Sequence, residues 1–223
     1  MPLPPLRALA AFALLGTAAQ AQDGVMMGRI EGDSYFAPTG EYKVTAPVLP
    51  ELGGTITDTE NVVTFSDSFN THISIACFPM DASQKWELDT RGMRDYLLYF
   101  FSSFVQADFK SRFPDASIES ARYLPELLTG TLISFSLLPG GSYFENKSRM
   151  LDAPAENPVT AKRGTLLFVH NHHIYVLSTE LAERATQRRT YNKTVEQEDQ
   201  ILTDRLTALV GRMVFIDGKS RNP

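Results

Sequence analysis

Residues 164–177, GTLLFVHNHHIYVL, constrain the fold more than any other stretch. Two runs rich in β-branched and aromatic residues flank Asn171-His172, the pattern of a β-hairpin closed by a two-residue turn. Counting outward from that turn sets His170 against His173, Phe168 against Tyr175 and Leu166 against Leu177 on one face. Val169 with Ile174, and Leu167 with Val176, share the other, because successive side chains alternate across a strand. Away from its tip the ribbon is apolar on both faces. It is stable only with cover on both sides, which argues for a sheet with helices or another layer above and below it.

Two helical stretches can supply that cover. Over 90–113, Met93, Leu97, Phe100, Phe101 and Phe104 recur at spacings of three and four, as a buried helical stripe requires. Asp89 or Thr90 is the expected cap and Pro114 follows the end. Over 194–213, Val195, Glu198, Leu202, Leu206, Leu209, Val210 and Met213 form a second stripe at helical spacing with charge on the reverse face. Strands are expected at 29–36 and 41–48 around Pro38-Thr39-Gly40, at 61–65 and 72–78, and at 117–124 and 129–138. Residues 139–163 read as a long loop with a short strand near 147–151. Loops of that length in compact domains are often functional, which makes this one a place for a partner contact.

The N-terminus carries one basic residue, Arg7, an apolar run over 8–15, and small residues at Ala19 and Ala21. This is the pattern of a secretory signal peptide over 1–21, cleaved after Ala21. The run is shorter than the ~20 apolar residues that span a bilayer, so the mature chain is expected in the periplasm or beyond, without membrane insertion. Residues 22–217 then read as one α+β domain and 218–223 as a disordered tail. The net charge of −5 leaves no basic footprint for nucleic acid. Cys77, the single cysteine, permits no intrachain disulfide, and its mid-strand position is that of a small buried hydrophobe.

Chemistry-bearing residues are few. His170 and His173 are cross-strand neighbours in the hairpin register, close enough for two imidazoles to share a metal ion, with His172 at the turn as a possible third ligand. Pro139-Gly140-Gly141-Ser142 lacks the longer glycine pattern and following helix of a phosphate loop and reads as a turn. Gly140, Gly141, Ser142, Tyr143 and Arg149 are the candidate binding residues of that region. No serine lies in a G-x-S-x-G elbow, and no cofactor is implied.

The order of elements is a β meander, an aromatic helix, a second β block ending in the hairpin, and a terminal amphipathic helix. With Tyr42-Lys43-Val44 leading to Pro47, Val62-Val63-Thr64-Phe65-Ser66, Arg163-Gly164 entering the hairpin and Ile174-Tyr175-Val176-Leu177 leaving it, the chain resembles the PsbP-like family over residues 29–216. The resemblance implies an α/β/α sandwich, an antiparallel sheet with long helices packed on it. It also implies a non-catalytic accessory or binding protein of the bacterial cell envelope whose partner is another envelope protein. The region between Pro139 and Arg163 is longer than the resemblance leads one to expect. Two other readings compete: a periplasmic metal-binding protein using His170, His172 and His173, and an enzyme with a dispersed active site, which would need a deep pocket with convergent polar groups.

Overall fold

The computed structural model describes residues 26–144, 159–187 and 190–216. The signal peptide, the strand near 147–151, Arg149 and the 218–223 tail lie outside the described residues. The strands are β1 (Arg29–Glu31), β2 (Ser34–Phe36), β3 (Tyr42–Thr45), β4 (Thr55–Asp58), β5 (Val62–Ser66), β6 (His72–Pro79), β7 (Ser117–Leu124), β8 (Thr131–Pro139), β9 (Thr160–His170), β10 (His173–Glu180) and β11 (Met213–Phe215). The helices are α1 (Ala82–Arg91), α2 (Met93–Phe100), a π-helical turn (Phe101–Val105), α3 (Gln106–Arg112), α4 (Glu183–Thr186) and α5 (Val195–Gly211).

The expected hairpin, β9–β10, sits near the centre of an antiparallel sheet of order β4-β5-β6-β10-β9-β8-β7. Its register is the one counted from the sequence, from His170 opposite His173 to Leu166 opposite Leu177. Asn171 and His172 both have positive φ, 46° and 58°, as a two-residue turn matching strand twist requires. Each face of the ribbon enters its own core. Leu166, Phe168, Tyr175 and Leu177 share one with Leu202, Leu206 and Leu209 of α5 and with Tyr35, Tyr42 and Val44 of the small sheet β1-β2-β3-β11. Leu167, Ile174 and Val176 share the other with Tyr96, Leu97, Phe100, Phe101 and Phe109. Cys77 is buried against the first core, and burial pushes its thiol up to about 12, so it has no nucleophilic character at neutral pH.

Several boundaries differ from the sequence reading, each for a local reason. The helix expected over 90–113 begins at Ala82. Asp81 caps it, its carboxylate accepting from Gln84 N (2.8 Å), while Gln84 Oε1 accepts from Asp81 N (3.3 Å). Gln84 is the one buried residue of α1, so no apolar stripe marked it. Gly92, at φ 77°, separates α1 from α2. The stretch 29–36 is a hairpin rather than one strand, turning at Gly32 (φ 61°). The last helix stops at Gly211, and Met213 begins a strand paired with Val44.

The largest correction concerns β9, which starts at Thr160. Lys162 and Arg163, read as loop, are strand residues whose side chains leave opposite faces of the sheet. Lys162 is 0% exposed. Its Nζ meets Glu119 of β7, Glu198 of α5 at 3.0 Å and Asp199 of α5 at 2.7 Å. Three carboxylates thus meet the three N–H donors of one ammonium. Glu198 also binds Arg184 Nε (3.2 Å) and accepts from the Tyr191 hydroxyl. Two positions further on, a Cβ at Gly164 would stand 3.0 Å from Leu206 Cδ1 and 3.1 Å from Leu202 Cβ. Glycine is what lets α5 lie this close.

Lys162→Met leaves the three carboxylates without their shared cation and is expected to cost about 3–5 kcal/mol, read as a shift of the urea midpoint. A loss below about 1 kcal/mol would show that the cluster is solvated. Burial lowers the Lys162 pKa, but the bonds to Asp199, Glu119 and Glu198 outweigh it and the net shift is upward. The cluster's contribution is therefore fully present at neutral pH and is lost as pH rises through the folded-state value, above the usual ~10.4.

Candidate functional site

The end of the large sheet away from the hairpin tip is built differently from the rest. Between β5 and β6 the chain turns through residues 67–71 around one carboxylate. Asp67 Oδ1 accepts from Phe69 N (2.8 Å), Asn70 N (2.9 Å) and Thr71 N (3.0 Å), and Asp67 N donates to Thr71 O (3.0 Å). Burial alone would raise the Asp67 pKa; the hydrogen bonds from Thr71, Phe69 and Asn70 outweigh it and hold the carboxyl below its ordinary value. The loop is fixed from inside, and it carries Phe69 outward at 58% exposure.

Two further loops flank it. The turn around Pro50–Leu52 presents Leu49 and Leu52, both exposed. Gly53 (φ 72°) lies against the Asp67 loop, where an added Cβ would be 3.5 Å from Ser68 Oγ. On the other side, the ring of Tyr143 stacks on His72 (centroids 4.1 Å apart, planes 15°) and its hydroxyl bonds Ser66 Oγ at 3.2 Å. Leu49, Leu52, Phe69 and Tyr143 therefore converge on one end of the sheet. Aromatic residues displayed on a fixed backbone lose little entropy on contact, which is how interface anchors work.

Beside Phe69, on the α5 face, lies a cleft of about 160 Å3 lined by Pro47, Asn70, Thr71, Ile73, Thr179, Arg205, Ala208, Leu209 and Arg212. Its titratable side chains are the two arginines, which stay protonated at neutral pH. The lining can hold an anion or an apolar group but has nothing to exchange a proton with.

On the opposite face of the sheet, toward α3, the same end carries a buried polar band. Ser74, Ser178, Thr165 and Ser134 lie in one row across β6, β10, β9 and β8. Glu180, Arg163 and Ser136 lie in the next. Ser74 and Ser178 share a hydrogen bond of 2.8 Å. Arg163 faces Glu180 at 3.6 Å and donates to Gly141 O at 3.1 Å. Glu180 accepts from Ser142 Oγ (2.6 Å) and Tyr143 N (3.0 Å), and Gly140 N donates to Val159 O (2.9 Å). Gly141 and Ser142, bonded to Arg163 and Glu180, thus help seat the exposed Tyr143 ring on His72, while Gly140 is exposed.

The histidines of the hairpin tip are placed differently from one another. His170 packs on Phe215 (4.2 Å between centroids). His173 Nδ1 is 2.8 Å from Asn171 O and 3.6 Å from Glu41 Oε2, and His172 is exposed at the turn. Among the described residues no group of three or more His, Cys, Asp or Glu stands together closely enough to hold a metal ion. No helix among them is long and apolar enough to cross a membrane.

Asp67→Ala is expected to cost about 1.5–3 kcal/mol, the range for hydrogen bonds to a charged group. Asp67→Asn keeps an acceptor but removes the charge. Because the folded carboxyl titrates below its unfolded value of ~3.9, its contribution is present above that pH and is lost as pH falls through the folded value. Urea melts at pH 7 and pH 3 should show the wild-type advantage over Asp67→Asn shrinking in acid; an advantage independent of pH would contradict this.

No family model matches the chain, and no curated protein matches it by sequence. Among solved structures it is similar to the Ran-binding protein Mog1p of Saccharomyces cerevisiae, at 9% identity and a TM-score of 0.47, over 86% of this chain and 97% of that one. It is also similar to cyanobacterial PsbP (CyanoP) from Synechocystis sp., at 13% identity and a TM-score of 0.47, over 91% and 99%. A Bacteroides thetaiotaomicron structure matches at 10% identity and a TM-score of 0.41, over 87% of this chain and 52% of that one.

Proposed function

We propose that this chain is a non-catalytic binding protein, exported to the cell envelope through its N-terminal segment, that takes a protein partner at the sheet end formed by Leu49, Leu52, Phe69 and Tyr143. The observation that carries the reading is Phe69. A large apolar side chain more than half exposed on a loop held by three hydrogen bonds to one buried carboxylate has been ordered without being buried. Two leucines and a tyrosine on neighbouring loops extend the same surface, and arginines in the adjoining cleft add the residue types that dominate interface energetics. The cleft lining argues for binding rather than catalysis, since arginine neither gives nor takes a proton at neutral pH. Ser142 and Tyr143 enter this reading through the Tyr143 ring, seated by Glu180 and His72.

Trp86, 62% exposed on α1 at the other end of β6, is the natural control. With the protein immobilised against an envelope extract of its source, wild type and Trp86→Ala should capture the same discrete protein. Phe69→Ala should weaken capture by about 30-fold, the effect of losing an anchor worth ~2 kcal/mol. Capture lost with Trp86→Ala but kept with Phe69→Ala would overturn the assignment.

A further inference from the structure

The cleft beside Phe69 has a chemistry of its own. Pro47, Ile73, Ala208 and Leu209 give it apolar walls, and Asn70, Thr71 and Thr179 add polar groups. At about 160 Å3 it is smaller than the ~300–1,000 Å3 of small-molecule sites. A side chain or a chain terminus fits it better than a cofactor.

Its charge is the informative part. The whole chain carries a net charge of −5, yet both ionisable residues in this lining are cations. Arg205 is committed: its Nη2 and Nη1 bind the two carboxylate oxygens of Glu183 at 2.5 and 3.3 Å, and Nη1 also approaches Glu180 O at 3.4 Å. Arg212 is not. Its backbone ends α5, with N donating to Leu209 O, while its exposed guanidinium has no ion-pair partner among the described residues. Opposite it, Thr71 Oγ1 donates to Asn70 Oδ1 (3.4 Å), which leaves the Asn70 amide nitrogen as a donor. The carbonyls at the end of α5 oppose an anion, but a planar guanidinium paired with a carboxylate forms a charge-assisted, two-bond contact that outweighs a terminal-dipole effect.

We propose that this cleft binds the C-terminal carboxylate of the partner protein, carried on an apolar last residue at the end of an extended segment. The carboxylate lies between the Arg212 guanidinium and the Asn70 amide, and the apolar group lies against Ile73 and Leu209. The assignment rests on the partner-binding reading above and names the chemistry the partner must bring.

The test uses a matched pair of probes, N-acetyl-leucine and N-acetyl-leucinamide, titrated into the 15N-labelled protein with amide shifts recorded. N-acetyl-leucine should shift Asn70, Thr71, Thr179 and Leu209 saturably, and more weakly at raised salt. The amide should bind about tenfold more weakly, and Arg212→Gln should cost N-acetyl-leucine a similar factor. Arg212 is exposed, and its guanidinium has no ion-pair partner among the described residues, so the variant is expected to keep its structure, which its unchanged spectrum elsewhere would verify. Equal response to the two probes, or an undiminished response in Arg212→Gln, overturns the carboxylate assignment. The two readings fail separately. Partner capture that falls with Phe69→Ala but is indifferent to Arg212→Gln removes the carboxylate alone, whereas capture indifferent to Phe69→Ala removes the partner surface.

Discussion

Two consecutive cations on one central strand govern how the layers of this protein come together. Lys162 and Arg163 of β9 leave opposite faces of the sheet, and neither reaches bulk water. Taking an ammonium and a guanidinium out of water costs several kcal/mol each unless partners meet them closely. On one face the cost is offset only when α5 lies with Glu198 and Asp199 over Lys162. A slip of α5 by one residue would leave the buried ammonium with Glu119 of β7 alone. On the other face Arg163 is met by Glu180 and by the backbone of Gly141, and Glu180 in turn holds Ser142 and Tyr143. The cations add less net stability than their Coulomb energy suggests, but they fix one arrangement of the layers.

That arrangement reaches the candidate site by two routes. Through Lys162 and the close contact at Gly164, α5 is seated so that Arg205, Leu209 and Arg212 form one wall of the cleft. Through Arg163 and Glu180, the loop after β8 is drawn in so that Tyr143 stacks on His72 and bonds Ser66. Between the two walls the Asp67 loop holds itself, through hydrogen bonds to its own backbone. A surface assembled this way needs little ordering when a partner arrives, and preorganisation of that kind converts contact area into affinity.

How much of this the sequence disclosed follows from what each element depends on. The turn and register of the hairpin were legible to the residue, because its turn and its alternation are local, while its strands run beyond the stretch that was read, to Thr160 and Glu180. The aromatic helix and α5 announced themselves through apolar spacing, and Cys77 through its place in an apolar strand. Helix α1 was silent because it buries little beyond Gln84, although Asp81 and Gln84 form a capping pair that could have marked it. The start of β9 was hidden by its own chemistry. A lysine and an arginine in succession read as surface until the fold brings carboxylates from β7, β10 and α5 to meet them. For the site, the Asp67 turn had a faint local signal in DSFNT, since aspartate readily accepts bonds from the amides that follow it. The convergence of Leu49, Leu52, Phe69 and Tyr143 had none, because those residues lie on three separate loops and meet only at the sheet end.

The central claim is that a protein partner meets this end of the sheet and not the other. Photo-crosslinking in the source cell tests it directly, with benzoylphenylalanine placed at position 69 in one strain and at position 86 in another. The two positions lie beyond opposite ends of β6, whose eight residues span about 26 Å at ~3.3 Å per residue, so one reporter cannot stand in for the other. The account predicts a discrete crosslinked protein from position 69 and none from position 86. A discrete product from position 86 alone would contradict it.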